Sequence, residues 1–144
     1  MPTQTYANHR QFVPLYQAVL SLLLLLTLIG SCVNLYESWG DHERMYSAAL
    51  IVVLTLCGML LFTFVRIFPL KAQDRAIRAE ENLRHYVLTG KLLDARLSIR
   101  QIVALRFASD AEFPALAQRA AQDNIAPDDI KKAVKDWRPD TYRV

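Results

Sequence analysis

The sequence predicts an all-α protein, a membrane helical hairpin of two transmembrane helices continuing into a small cytoplasmic helical domain. Three observations carry this. Two long runs, Gln11 to Tyr36 and Met45 to Val65, contain no Asp, Glu, Lys, Arg or His. A short connector with turn chemistry separates them. Everything beyond is dense in mixed charge and punctuated by helix-start signals. Over the 144 residues, 53 % are hydrophobic and 22 % charged. Charge and grease are therefore segregated along the chain.

Residues 1–12 form an N-terminal juxtamembrane segment, and residues 13–36 the first span. A helix rises ~1.5 Å per residue, so about 20 apolar residues cross the hydrocarbon core of a bilayer. Both runs reach that length. A chain this short has too little other material to enclose two such helices. A cleaved signal peptide fits the first run poorly, since it is long and lacks a clean small-x-small site. A sharper alternative is lipidation of Cys32, because "IGSC" loosely resembles a bacterial lipoprotein cleavage site. Its basic flank is only Arg10, and a second span follows at once.

The connector, residues 37–44, carries Gly40 and Asp41 for a turn. Residues 45–68 are the second span. In an antiparallel hairpin Cys32 and Cys57 lie at depths about 12 Å apart, too far for a disulfide, and read as small packing residues. Thr27, Gly30 and Asn34 form one stripe of small or polar side chains, and Ala48, Thr55 and Gly58 another. Small and hydroxyl residues let membrane helices approach closely, so the two stripes are expected to face each other, Thr27 near Thr55 and Asn34 near Ala48.

Basic residues at the span ends set orientation. The connector has Arg44 alone, whereas Arg10, Arg66, Lys71, Arg75, Arg78 and Arg84 lie on the other side. Both termini are thus expected in the cytoplasm. Arg66 can snorkel to the headgroups. Pro69 lacks an N–H and crowds the carbonyl of Val65, so a joint is expected at residues 65–69, a kink in a nearly continuous helix that carries the chain into the cytoplasm.

Residues 69–144 make the cytoplasmic helical domain, with helices at about 70–89, 99–108, 110–123 and 127–137. Asp74→Arg78 and Glu80→Arg84 are i,i+4 pairs in the favourable order. Gly90 is a natural stop. "SIRQ" at Ser98–Gln101 and "SDAE" at Ser109–Glu112 read as capping boxes. Pro127, Asp128 and Asp129 suit a helix N-terminus. The expected core is Leu83, Val87, Leu97, Ile102, Val103, Leu105, Phe107, Phe113, Leu116, Ile130, Val134 and Trp137. Ala72, Ala76, Ala79, Leu83 and Tyr86 form an apolar stripe on the helix that leaves the membrane. Nearest the bilayer the short helices are least able to cover it, so it is the expected partner contact.

Chemistry is sparse. Neither span holds an ionisable residue at depth, as ion or proton transport requires. No Ser sits in G-x-S-x-G, and His9, His42 and His85 are scattered. No metal-ligand motif and no phosphate loop occurs, so neither metal nor cofactor is expected. Lys131, Lys132, Lys135, Trp137 and Arg138 are candidates for lipid-headgroup contact. Interleaved Asp128, Asp129, Asp136 and Asp140 cancel much of their field and argue against nucleic acid.

The stretches "LKAQDRAIRAEENLRHYVLTGK", "LRFASDAEFPALAQRAA" and "IKKAVKDWRPDTYRV", with "YANHRQFVPLY" and the two spans, resemble a family of small bacterial two-span membrane proteins known only as a domain of unknown function. The resemblance implies a bacterial inner-membrane location and brings no activity, cofactor or catalytic residue. The sequence thus points to a non-enzymatic accessory or scaffold component of a membrane assembly. Its expected partners are the bilayer and either a second copy or another membrane subunit. The alternative is a membrane-anchored sensor or enzyme whose site a partner completes.

Overall fold

The computed structural model describes residues 4–8 and 12–140. Among these the chain is helical: a π-helical turn at Leu15–Leu20 leads into α1, Ser21–Glu37. Then come α2, His42–Thr89; α3, Ile99–Leu105; α4, Phe113–Gln122; and α5, Pro127–Ala133. The helix that begins at Leu15 and α2 are both long and apolar enough to cross a membrane. The chain divides into two compact units. One is Phe12–Phe68; the other begins at Pro69 and includes residues 4–8.

In the first unit the shielded positions on α1 are Ser21, Leu24, Leu28, Ser31, Leu35 and Ser38. On α2 a matching series is Met45, Ala48, Val52, Thr55, Met59, Phe62 and Arg66, flanked by half-buried Ala49, Gly58 and Ile67. Both series alternate steps of three and four, the spacing that keeps one seam of a helix against its neighbour. The buried hydroxyls are satisfied within their own helices. Ser31 donates to the Leu28 carbonyl at 2.8 Å, Ser38 to Asn34 at 2.7 Å and Thr55 to Ile51 at 2.8 Å. No polar atom there is left to penalise close packing. At the other end the Tyr16 hydroxyl donates to the Phe62 carbonyl, and the two rings stack at 4.5 Å.

α2 runs without interruption through the expected joint at residues 65–69, so the nearly continuous helix expected there is one element with Pro69 inside it. A proline deletes one backbone bond, while the bonds on either side persist. The helix ends where Gly90 takes φ +72°, a conformation that favours glycine, and donates its N–H to the Tyr86 carbonyl at 2.8 Å.

In the second unit α3 packs against α4 and α5. Ile102, Leu105, Phe113, Leu116, Ile130 and Val134 build the core with Leu93, Leu97 and the alanines 104, 117, 120 and 121. Phe107 is buried as well. The Ser98–Gln101 capping box forms. Gln101 also donates to the Asn124 side chain at 3.2 Å and the Ile125 carbonyl at 2.9 Å, tying the start of α3 to the α4–α5 turn.

Four expectations need correction. Leu83 and Val87 are exposed, because α2 turns Ile77, Glu81 and Arg84 toward the short helices instead. The second capping box does not form, since the Glu112 carboxylate accepts from the Lys135 and Asp136 amides. So α4 starts at Phe113 rather than 110, with Pro114 in its first turn. The helix expected at 99–108 ends at Leu105. The helix expected at 127–137 ends at Ala133. Pro139 biases Arg138 away from helical angles. The chain instead bends at Lys135–Asp136 and meets 107–109 in an isolated antiparallel bridge: Ala108 pairs with Trp137, Arg138 donates to the Phe107 carbonyl at 2.8 Å and Ser109 to the Asp136 carbonyl at 3.1 Å.

Candidate functional site

The C-terminal part of α2 has two faces with different chemistry. One holds an ionic clasp. The Arg84 guanidinium reaches Glu81 at 2.9 Å through Nη1, Asp110 at 2.7 Å through Nε, and the Ala108 carbonyl at 2.7 Å through Nη2. It also lies 4.4 Å above the Phe113 ring. Glu81 is buried, and its second oxygen lies 3.5 Å from Arg138. The sequence reading paired Arg84 with Glu80. The structure turns it to Glu81, because Asp110 and Phe113 hold the guanidinium on the domain side. His85 stands edge-on to Phe113 and bonds the Lys91 carbonyl at 2.7 Å through Nδ1. A carbonyl only accepts, so Nδ1 is inferred to carry the proton. These groups position helices and leave little free to bind.

Beside the clasp lies a groove of about 290 Å³, lined in part by Gln73, Ala76, Glu80, Glu81, Arg106 and Arg138. Arg106 is paired with Asp140 at 3.1 Å and Arg138 with Glu81. The wall therefore neutralises its own arginines, and among the described residues that line it there is no Ser, Thr, Cys or His that could act as a nucleophile. Farther along, on the exposed loop after α2, the Arg96 guanidinium bonds Asp94 and holds its carboxyl down at about 2.

The opposite face of α2 is bare. Ala72, Ala76 and Ala79 are exposed, Leu83 is 64 % exposed and Tyr86 54 %. At 100° per residue these five fall on one stripe, roughly across the helix from Ile77, Glu81 and Arg84. The short helices pack on the far side and leave this ridge exposed, with Ala76 also at the rim of the groove.

The other sequence-selected residues scatter. Thr27, Gly30 and Asn34 are exposed on α1, and the Thr27 hydroxyl bonds its own helix at Leu23. They do not form the inner face of that helix, which includes Leu24, Leu28, Ser31 and Leu35, although Asn34 lines one pocket with Ala48, the residue it was expected to lie near. Ala48 and Thr55 are buried, and a Cβ added to Gly58 would touch Leu24 at 3.6 Å. Cys32 and Cys57, read as packing residues, are exposed. Arg66 is half-buried and Pro69 exposed. Of the residues proposed for headgroup contact, Trp137 instead packs on Phe107, the ring centroids 4.9 Å apart and the planes tilted by 32°. Lys131 pairs with Asp128, and Lys132 with Asp129, 5.9 Å from the Tyr6 ring. Arg138 reaches Glu81, and Lys135 is exposed.

A family model described as a family of unknown function (DUF6526) matches residues 1–144. The chain belongs to this family. No curated protein and no solved structure matches it. The DUF6526 assignment therefore brings no ligand or reaction to these residues. Among the described residues no cluster of His, Cys, Asp and Glu is arranged to hold a metal ion.

Proposed function

We propose that this protein is a two-span component of the bacterial inner membrane, with both termini in the cytoplasm. It acts as an accessory or scaffold subunit through helix–helix contacts. The observation that carries this reading is the bare ridge of Ala72, Ala76, Ala79, Leu83 and Tyr86 on α2. Large exposed apolar side chains on a charged domain mark an interaction surface, and a helix already held by its membrane span loses less freedom on association. The alternative, a sensor or enzyme completed by a partner, draws little support from a groove whose arginines are matched by its own carboxylates.

The test is purification from native membranes in mild detergent, with particle mass from light scattering and identification of co-purifying chains. Ala76→Glu and Ala79→Glu each place a carboxylate on the ridge outside the spans. They should leave insertion and yield unchanged and shrink the particle. A wild-type chain that is monomeric at every concentration and brings down no other chain overturns the reading.

A further inference from the structure

The ridge has a heptad register, and that register selects its occupant. With Ala76 and Leu83 at a positions, Ala72, Ala79 and Tyr86 fall at d. Arg75 is then at g and Glu80 at the following e. Residues at b and f point away from such a seam. Here these are Ile77, Glu81 and Arg84, the side chains that face the short helices. The domain thus packs on the back of the helix and leaves the a and d positions, Arg75 at g and Glu80 at e exposed, while Gln73 at e is half-buried and the Asn82 side chain at g accepts from the Leu93 amide at 3.2 Å. In a parallel pair of helices, g of one chain faces the next e of the other. Arg75 of each copy would meet Glu80 of its neighbour. Among the described residues, neither takes part in an ion pair within the chain.

We propose that residues 72–86 of α2 pair with the same residues of a second copy as a parallel, in-register two-helix seam, with Arg75 of each chain opposite Glu80 of the other. This rests on the membrane reading above. Copies inserted with one topology leave the bilayer in the same direction, so their α2 segments meet parallel. An antiparallel partner would lack this g-to-e match. The seam is only about two heptads long and three of its five a and d residues are alanine, so free in solution it is too short to hold. Confinement to one bilayer raises the effective concentration enough to compensate. Leu83 and Tyr86 supply the large apolar contact at its far end, while Ala72, Ala76 and Ala79 let the backbones approach near the membrane.

The test uses the full chain in lipid vesicles in a Cys32→Ala, Cys57→Ala background. Under mild oxidation, Ala72→Cys should link to itself between chains, and so should Tyr86→Cys. Arg78→Cys, one position off the seam, should link far less. Only a parallel register allows both self-links, since an antiparallel pair would join position 72 to position 86. Arg75→Glu alone and Glu80→Arg alone should each lower the dimer fraction by roughly fivefold in association constant, because like charges then face each other at two places. The double swap should restore it. Links only in the mixed 72/86 pair, or single swaps without effect, overturn the proposal. If a different chain co-purifies and neither position self-links, the seam is refuted while the accessory-subunit reading stands. A monomer with no partner removes both.

Discussion

Arg84 decides how the helical domain is attached to α2. Three of its N–H edges are taken by Glu81, Asp110 and the Ala108 carbonyl, and its flat face by Phe113. Its side chain is only 11 % exposed and that of Glu81 only 6 %. Removing one partner of such a pair strands the other's charge, which costs more than the pair itself contributes. Arg84→Ala should therefore destabilise the domain by about 3 kcal/mol, the low end for a buried pair, because Arg138 still stands near Glu81. The double replacement Glu81→Leu with Arg84→Met should lose less than Arg84→Ala. Urea unfolding of the full chain in micelles, followed by Trp137 fluorescence in a Trp39→Phe background, reads both. A cost below about 1 kcal/mol for Arg84→Ala would mean that the clasp is wet in solution. This cluster was hard to find in the sequence. An i,i+3 pair looks no different from the i,i+4 pair beside it, and the choice between Glu80 and Glu81 depends on Asp110 and Phe113, far along the chain.

At the scale of elements, the all-helical class and the two long apolar helices could be read directly, because charge is absent over whole runs. The rotational phase of α1 could not. That helix is apolar nearly all round, so its stripe of Leu24, Leu28, Ser31 and Leu35 carries no more signal than that of Thr27, Gly30 and Asn34. The same limit misplaced Leu83 and Val87: an alanine-rich helix with mixed charge shows apolar residues on more than one side, and only the docked domain reveals which side is covered. The end of α5 depended on a long-range pairing between residues 107–109 and 136–138, which local propensity does not contain. The phase now seen makes its own prediction. Ala48 is 1 % exposed in the hairpin seam. Ala48→Leu should wedge the helices apart and cost roughly 1–3 kcal/mol, measured as a lower melting midpoint in detergent. Gly58→Ala, whose new methyl would meet Leu24 at ordinary contact distance, should be close to neutral. If Ala48→Leu melts like wild type, the seam lies elsewhere on α2.

At the scale of the whole molecule, the proposed two-span topology predicts which side of the membrane the connector and the end of α2 face. The turn between α1 and α2 has one arginine, Arg44, and its charge is offset by Asp41 at 3.3 Å. Beyond the second span, Lys71, Arg75 and Arg78 follow within a few turns, all exposed. Carrying that basic segment across the bilayer opposes the charge bias that governs insertion, so the connector is the part expected outside. Two exposed positions report this directly. Trp39 sits in the connector at 81 % exposure, and Leu92 follows the end of α2 at 67 %. In a Cys-free background and intact cells, Trp39→Cys should react with a membrane-impermeant maleimide. Leu92→Cys should react only after the membrane is opened. Ser38, one residue earlier, is buried and would be a poor reporter whichever way the protein inserts. Labelling of Leu92→Cys in intact cells, with Trp39→Cys protected, reverses the topology and puts the α2 ridge outside the cytoplasm. The parallel seam would survive that reversal, since two copies would still share one orientation. The proposed cytoplasmic placement of both termini would not.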